Sequence, residues 1–383
     1  MLKKVLEKWL MRQTPDRGKA AMDDYSVFFS TDIGLRRTEN QDQVAAIRVN
    51  VNPSIGHSFI IIALSDGMGG MRDGKLCANK AIASFFYSAI SNRHLDAEKR
   101  LELAAHAANN AVGELFNGTG GATLSVVCIG GDNKINTLNV GDSRIYATVE
   151  KPNREVIRLT VDDSLEELVG GHGKELLQFI GMGEGIKPHI NNIHSDVKNI
   201  VITSDGIHYV DQGTFYKILI NSNTPSVAID RLSALARWCG SPDNASLSIV
   251  DVGAALNSLQ DIRDAGVEIA DSFTSTNFLW IRESSLDEEI AKKNENFPYK
   301  RADILDKNCE DCEVDPRHVD ANENHDDEVK NNIPTEKKAD HDSGPKQSPQ
   351  KRKRKPRAPK EKKVESSNPQ LLIEIDTKLI SDN

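Results

Sequence analysis

Apolar and polar positions alternate, or run together, in a pattern that changes along the chain. "SVFFSTDIG", "QVAAIRVNV" and "SFIIIALSD" read as strands, rich in β-branched and aromatic residues and bounded by turn formers. Leu76 to Asn92 reads as a helix, with Leu76, Ile82, Phe85, Phe86 and Ile90 forming an apolar face. A second helix is predicted from Asp96 to Phe116, where Leu101, Ala105, Ala108, Val112 and Leu115 step by three or four. Four short strands follow: "ATLSVVCIG", "KINTLNVGD", "SRIYATVE" and "EVIRLTVD", joined by turns such as "GGDN" and "KPNR". Residues 162–195 are irregular and rich in Gly and charge. "KNIVITSDGI" is a strand, "SVAIDRLSALARWCG" a helix and "ASLSIVDVG" a closing strand. Consecutive hairpins around two helices predict antiparallel sheets packed on helices, an α+β class, rather than a doubly wound parallel sheet.

The pattern divides the 383 residues. Residues 1–24 hold an amphipathic segment, "MLKKVLEKWLMRQ", without the unbroken apolar core of a signal peptide. Residues 25–254 are the expected globular domain. Residues 255–304 are ambiguous, a helix plus the short strand "TNFLWIRE". Residues 305–368 have almost no apolar content and read as a disordered charged linker. Residues 369–383, with "QLLIEIDTKLIS", read as a short C-terminal docking segment. No stretch reaches the length of a membrane span.

Composition adds bounds. Hydrophobic residues make up 38% of the chain, as expected if part of it has no core. A net charge of -9 argues against general nucleic-acid binding by the whole chain. The basic run Lys351–Lys363 is a candidate nucleic-acid contact, but it lacks interleaved aromatics for base stacking and reads more simply as a solvated tether. Cys77, Cys128 and Cys239 lie in apolar surroundings and read as reduced core thiols, as in a cytoplasmic protein. Cys309 and Cys312 form a lone C-x-x-C, weak as a zinc signal.

Candidate chemistry gathers where apolar runs stop. "FIIIALSDGMGGMRDGK" ends abruptly at Asp66. Gly69–Lys75 spells G-x-x-x-x-G-K, most of a phosphate loop, but Leu76 stands where the magnesium-binding hydroxyl belongs. The bland alternative is a turn. Asp42, Asp142, Asp205 and Asp243 also sit at ends of apolar runs. One such acid is an ordinary turn residue; five on one domain suit a hard divalent ion held by oxygen ligands, and spacing alone does not show that they converge.

Seven blocks occur in one order: Arg37-Thr-Glu-Asn-Gln-Asp42, Asp66-Gly-Met-Gly-Gly70, Gly121-Ala-Thr-Leu-Ser125, Gly141-Asp-Ser-Arg144, Leu159-Thr-Val-Asp-Asp-Ser164, Ser204-Asp-Gly206 and Asp243-Asn-Ala-Ser246. In this the chain resembles the metal-dependent protein phosphatases, the type 2C Ser/Thr family, in a bacterial style. The resemblance implies an antiparallel β-sandwich flanked by helical layers and hydrolysis of phosphoserine or phosphothreonine by a metal-activated water. It implies two or three Mn2+ or Mg2+ ions. Asp66 would bridge two of them, the Gly67 carbonyl would bind one, Asp205 and Asp243 would ligate the other, Asp142 with Asp205 would form a third site, and Asp42 would support the metal waters. Arg37 would grip the substrate phosphate; with Asp66 and Asp205 it makes the expected catalytic set. The implied partners are a phosphoprotein and a cognate Ser/Thr kinase. The alternative is a non-catalytic phosphatase-like adaptor that recognises phosphoproteins and recruits partners through its tail; such a protein is expected to lose one of Asp66, Asp205 or Asp243, and all three are present.

The sequence departs from the family pattern at four places. Met68 stands where some members carry a His proposed as general acid, so no general acid is assigned. Gln41 replaces an additional acidic ligand, Asp163 a common His, and Ser246 a more usual Thr. His172, His106 and His208 read as ordinary loop, surface or strand-edge histidines. Arg36 is expected in a salt bridge rather than as a second phosphate contact, and Ser164 could accept a phosphate, though nothing local demands it.

Overall fold

The run from Phe59 to Leu64 has no polar face because both of its faces are covered. Ile60, Ile62 and Leu64 enter one apolar core, while Phe59, Ile61 and Ala63 enter another. A strand buried on both sides reads as a continuous apolar stretch rather than an alternating one.

In this computed structural model the described residues are 2–278, apart from 54–55, 151–152, 171–174, 195 and 262–264. They begin with α1 (Leu2–Leu10), β1 (Arg17–Ala21), β2 (Val27–Asp32), β3 (Asp42–Asn50) and β4 (Phe59–Asp66). Then come α2 (Gly74–Ser91), α3 (Ala97–Leu115), β5 (Leu124–Gly130), β6 (Ile135–Val140), β7 (Arg144–Val149) and β8 (Glu155–Arg158). The next elements are α4 (Leu165–Val169), β9 (His189–Ile193), β10 (Val197–Thr203), α5 (Asp205–His208), α6 (Gln212–Ile220) and α7 (Pro225–Trp238). The last are β11 (Ala245–Asp251), α8 (Val252–Gln260), β12 (Gly266–Asp271) and β13 (Ser275–Phe278).

The strands form two antiparallel sheets, ordered β1-β2-β11-β10-β7-β8 and β13-β12-β3-β4-β5-β6-β9. Val27 and Phe29 of one sheet meet Ala46, Ile60 and Ile62 of the other in the central core. The outer face of the seven-stranded sheet is covered by α1, α2 and α3, and that of the six-stranded sheet by α5, α6 and α7. This is the expected sandwich flanked by helical layers. The long helices start where the chain supplies caps: the Asp73 carboxylate accepts from Leu76 N (3.0 Å) and the Asp96 carboxylate from Lys99 N (3.0 Å).

The sheets extend beyond the expected limits of 25–254. Strand β1 forms an edge beside β2, and β12 joins the other sheet beside β3. Helix α1 is not a separate segment: Leu6 and Leu10 are buried in the core against α2. Strands β1 ("RGKAA") and β9 ("HINNI") are edge strands with mixed exposure, so they lack the apolar signature of an inner strand. Strand β12 conceals itself differently. Glu268 is buried opposite Arg48 of β3, which is itself fully buried. The stretch "ASLSIVDVG" also divides, β11 ending at Asp251 as helix α8 begins. Cys77 and Cys128 are buried as expected, but Cys239 is exposed, because it lies at the C-terminal cap of α7 rather than on its packed face. The 305–368 linker, Cys309, Cys312, the basic run and the 369–383 segment lie outside the described residues.

Candidate active site and metal centre

The hydrogen-bond registers bring the five acids to one end of the sandwich. Asp42 opens β3, Asp66 closes β4, and the two are paired across the ladder. In the other sheet, Thr203 at the end of β10 pairs with Arg144 at the start of β7 and with Leu247 near the start of β11. Asp142, Asp205 and Asp243 flank these three strand ends. Ser204 ties the sheets together: its hydroxyl donates to Asp42 Oδ2 (2.8 Å) and accepts from Ser246 N (2.9 Å).

The strand ends are fixed by further short-range bonds. Asp66 N donates to Thr123 Oγ1 (3.0 Å), and Thr123 N donates to the Asp66 carbonyl (2.8 Å). Gly67 N donates to the Gln41 carbonyl (3.1 Å). A Cβ on Gly67 would lie 2.2 Å from the Gly74 carbonyl, so only glycine lets the chain pass the start of α2 here. The same holds at Gly206, where a Cβ would lie 1.9 Å from the Asn244 carbonyl. The stretch after Asp66 is therefore a turn packed by Gly67 against the start of α2, not a phosphate loop.

The acids lie within one another's fields. Burial pushes the Asp66 carboxyl well above the ordinary range, and the neighbouring Asp42, Asp205, Asp142 and Asp243 push it further. Asp42 is pushed up to about 6, first by burial and then by Asp243, with the Ser204 hydrogen bond opposing. Arg37 lies over this cluster. Its Nη2 donates to Asp243 Oδ2 (2.6 Å), and that bond, with the charges of Asp243, Asp66 and Asp205, holds its guanidinium in the charged form.

Among the described residues no three or more His, Cys, Asp or Glu side chains close tightly enough to cage a metal ion by themselves. The donor chemistry nevertheless fits Mg2+ or Mn2+, which keep several waters and need only a few carboxylates. Asp42 Oδ1, buried without a hydrogen-bond partner, is an anionic acceptor suited to such a hydrated cation. Nothing in the set suits zinc, which prefers nitrogen and sulfur ligands.

The remaining candidates fall elsewhere. His208 accepts or donates at Nδ1 with Thr203 Oγ1 (2.8 Å), and burial together with Arg144 and Arg158 pushes it well below its usual value, so it is a neutral structural group. His106 is half-buried on α3, and His172 lies outside the described residues. Arg36 is exposed and makes no ion pair among the described residues, against expectation, because the acids nearby face Arg37 instead. Ser164 caps α4 by accepting from Glu167 N (3.3 Å). Asp163 accepts from Gly141 N (2.9 Å), Gln178 Nε2 (2.8 Å) and, at Oδ1, shares a proton contact with His189 Nε2 (2.9 Å). Sequence reading missed the fasteners. Asn244 accepts from Gln41 N (2.8 Å) and donates to the Ile33 and Glu39 carbonyls (both 2.9 Å), binding the Arg37 turn to the Asp243 turn. Its signal was its place inside the "DNAS" block.

No family model matches the chain. The protein phosphatase PhpP of Streptococcus pneumoniae serotype 2 is 28% identical over 247 residues, which cover 58% of this chain and 95% of that protein. The serine/threonine protein phosphatase PstP of Mycobacterium tuberculosis is 26% identical over 243 residues, 58% of this chain and 44% of that protein. In fold, a solved bacterial serine phosphatase matches with a TM-score of 0.50 at 20% identity, covering 59% of this chain and 97% of that one. In sequence the chain is thus similar to bacterial serine/threonine protein phosphatases, and its paired antiparallel sheets share the fold of the solved bacterial serine phosphatase.

Proposed function

We propose that this chain is a protein Ser/Thr phosphatase that hydrolyses phosphoserine and phosphothreonine with a water activated by two or three Mg2+ or Mn2+ ions. The observation that carries the reading is the convergence of Asp42, Asp66, Asp142, Asp205 and Asp243 beneath Arg37. Asp66, the Gly67 carbonyl, Asp205 and Asp243 would hold two ions, and Asp142 with Asp205 a third. The chemistry gained from ions held there is a lowered water pKa and neutralisation of phosphoryl charge.

The chain's own groups have separable tasks. Ser204 fixes one oxygen of Asp42 and leaves Oδ1 to orient water at the site. Arg37, half-exposed and already held charged, presents a planar fork of donors to the phosphate oxygens. Asn244 keeps the turns of Arg37 and Asp243 at a fixed separation. Met68 offers no proton, and no side chain is assigned to protonate the leaving oxygen.

The substrates on this reading are phosphoproteins, with a cognate Ser/Thr kinase as the opposing partner, and the setting is the cytoplasm. No helix among the described residues is long and apolar enough to cross a membrane. The test is turnover of p-nitrophenyl phosphate and of a phosphothreonine peptide with Mn2+, Mg2+ or chelator. Hydrolysis of both, restored by Mn2+ after chelation, is expected. Absence of hydrolysis with either metal, or hydrolysis indifferent to chelator, would overturn the reading.

A further inference from the structure

A cleft of about 200 Å3 lies beside the acid cluster, between the segment joining α1 to β1, the turn before β3 and the start of α2. Asp42 is in the wall that it shares with the site, and Glu39 in its lining is two residues from Arg37. Its charges do not balance. Arg12 is committed: Nη2 donates to Asp271 (2.8 Å) and the guanidinium stacks on Trp9 at 3.9 Å. Lys75 stands 3.8 Å from Glu39, a long pair. Asp16 is exposed and makes no ion pair among the described residues. Among the described residues lining the cleft, three carboxylates, Asp16, Glu39 and Asp42, thus share a single cation not held elsewhere, Lys75, and its one pair, to Glu39, is long.

A second observation points to a ligand. Asn79, on the second turn of α2 and only 4% exposed, lines the cleft. Its Nδ2 donates to the Lys75 carbonyl (2.9 Å), but its Oδ1 is buried without a hydrogen-bond partner. A buried acceptor in that state carries its full desolvation penalty, and a donor entering the cleft removes it. The volume limits what enters. Drug-sized ligands take about 300–1,000 Å3 and a water about 30 Å3, so this cleft suits one long side chain and not a nucleotide.

We propose that the cleft is a subsite for a lysine or arginine side chain of the phosphoprotein substrate, one that flanks the phosphorylated residue. The inference rests on the phosphatase reading for its substrate. The basic group meets Asp16 and Glu39 at the mouth and donates to Asn79 Oδ1 at depth, while the phosphate lies under Arg37.

The test uses the full chain and phosphothreonine peptides in which one lysine is walked through the flanking positions, with norleucine as the neutral control. At one position lysine raises kcat/KM about tenfold over norleucine. Asp16→Lys, at an exposed position, reduces that ratio to near one, and Asn79→Leu does the same by filling the cleft. Hydrolysis of p-nitrophenyl phosphate stays within about twofold in both. A flat lysine scan, or a preference that survives Asp16→Lys, overturns the subsite. Binding of non-hydrolysable phosphonate versions of the same peptides is measured alongside by fluorescence anisotropy. If nothing is turned over, the phosphatase reading has failed, and the same lysine-dependent, Asp16-sensitive binding still decides the cleft: its presence supports the subsite and its absence sinks it.

Discussion

Asp42 and Asp66 are paired across the last rung of the β3–β4 ladder, and burial raises the proton affinity of both. Residues so paired have Cα atoms only about 4.5–5.5 Å apart, and like charges directly opposite each other destabilise a sheet. The native fold therefore holds a repulsion that a bound divalent cation would relieve. Asp66→Asn should separate stability from activity. The metal-free variant should melt higher than the metal-free parent, by about 2–4 °C for each kcal/mol of relieved repulsion. Its rise in Tm on adding Mn2+ should vanish, and turnover should fall more than tenfold, a barrier change above about 1.4 kcal/mol. Asp205→Asn should lose turnover in the same way. A folded variant of either kind that keeps over a tenth of parental turnover would show that these acids do not serve the reaction.

The same pair predicts an unusual pH response in the metal-free protein. A carboxyl whose folded pKa is raised contributes stability below its unfolded value, and that stability is lost as pH rises through the folded value, about 6 for Asp42. Metal-free protein should accordingly be more stable to urea at pH 5 than at pH 7, and saturating Mn2+ should reverse the order. Equal metal-free stability at both pH values would mean that the acids are solvated in solution.

Much of this was legible in the chain, for physical reasons that also mark the limits. Inner strands such as Phe59–Asp66 are buried on both faces and end where a carboxylate must meet water or metal, so fold and site share one signal. Edge strands β1 and β9 bury too little to leave a pattern. Strand β12 hides because its buried Glu268 lies in register with the buried Arg48, and two buried charged residues look like surface residues in a sequence. Ser204 and Asn244 act through bonds to residues more than 160 positions away, which no local window contains. The ordered blocks marked the five acids, and the strand registers bring them to one end of the fold. They could not show that Arg37 would rest on Asp243.

That contact shapes the outcome for Arg37→Ala. Its guanidinium is bound to a proposed metal ligand at 2.6 Å, so removing it unburdens Asp243 rather than disturbing it. Manganese affinity by calorimetry should be kept or slightly raised, while kcat/KM for a phosphopeptide falls by about a hundredfold, the scale for losing a preorganised charged donor. Loss of manganese binding would assign Arg37 to the architecture of the metal centre instead.

Asp163 clamps the turn that carries Asp142. One oxygen accepts from Gly141 N and the other meets Gln178 and His189, joining that turn to the segment before β9 and to the start of β9. Asp163→Ala strands the Gly141 N–H, a cost of about 1–3 kcal/mol. It should also raise the Mn2+ concentration needed for half-maximal turnover, and Asp163→Asn, which can still accept from Gly141, should restore most of the stability. If the asparagine variant is as unstable as the alanine one, the clamp depends on the charge and not on the Gly141 bond.

The buried Arg48 offers a test far from the chemistry. It is fully buried, and its Nη2 donates to Asp24 and to Ser258 Oγ (2.5 Å) while Glu268 stands opposite in register on β12. Its ion partner is Asp24 on the β1–β2 turn, and Glu268 of β12 is buried in register beside it. Removing one partner of a buried ion pair costs about 3–5 kcal/mol, because the remaining charge is left uncompensated. Arg48→Met leaves Asp24 without its counter-ion and should cost within that range. Asp24→Ala leaves the guanidinium still bonded to Ser258 Oγ and should cost less. Both variants, where folded, should hydrolyse p-nitrophenyl phosphate at near-parental kcat, since neither residue reaches the acid cluster. Urea unfolding followed by circular dichroism gives the ordering directly. If Asp24→Ala proves the more damaging, then Asp24 acts chiefly through the turn it closes, where its carboxylate accepts from Ser26 N (3.0 Å) and Ser26 Oγ (2.6 Å), and not as the counter-ion of Arg48.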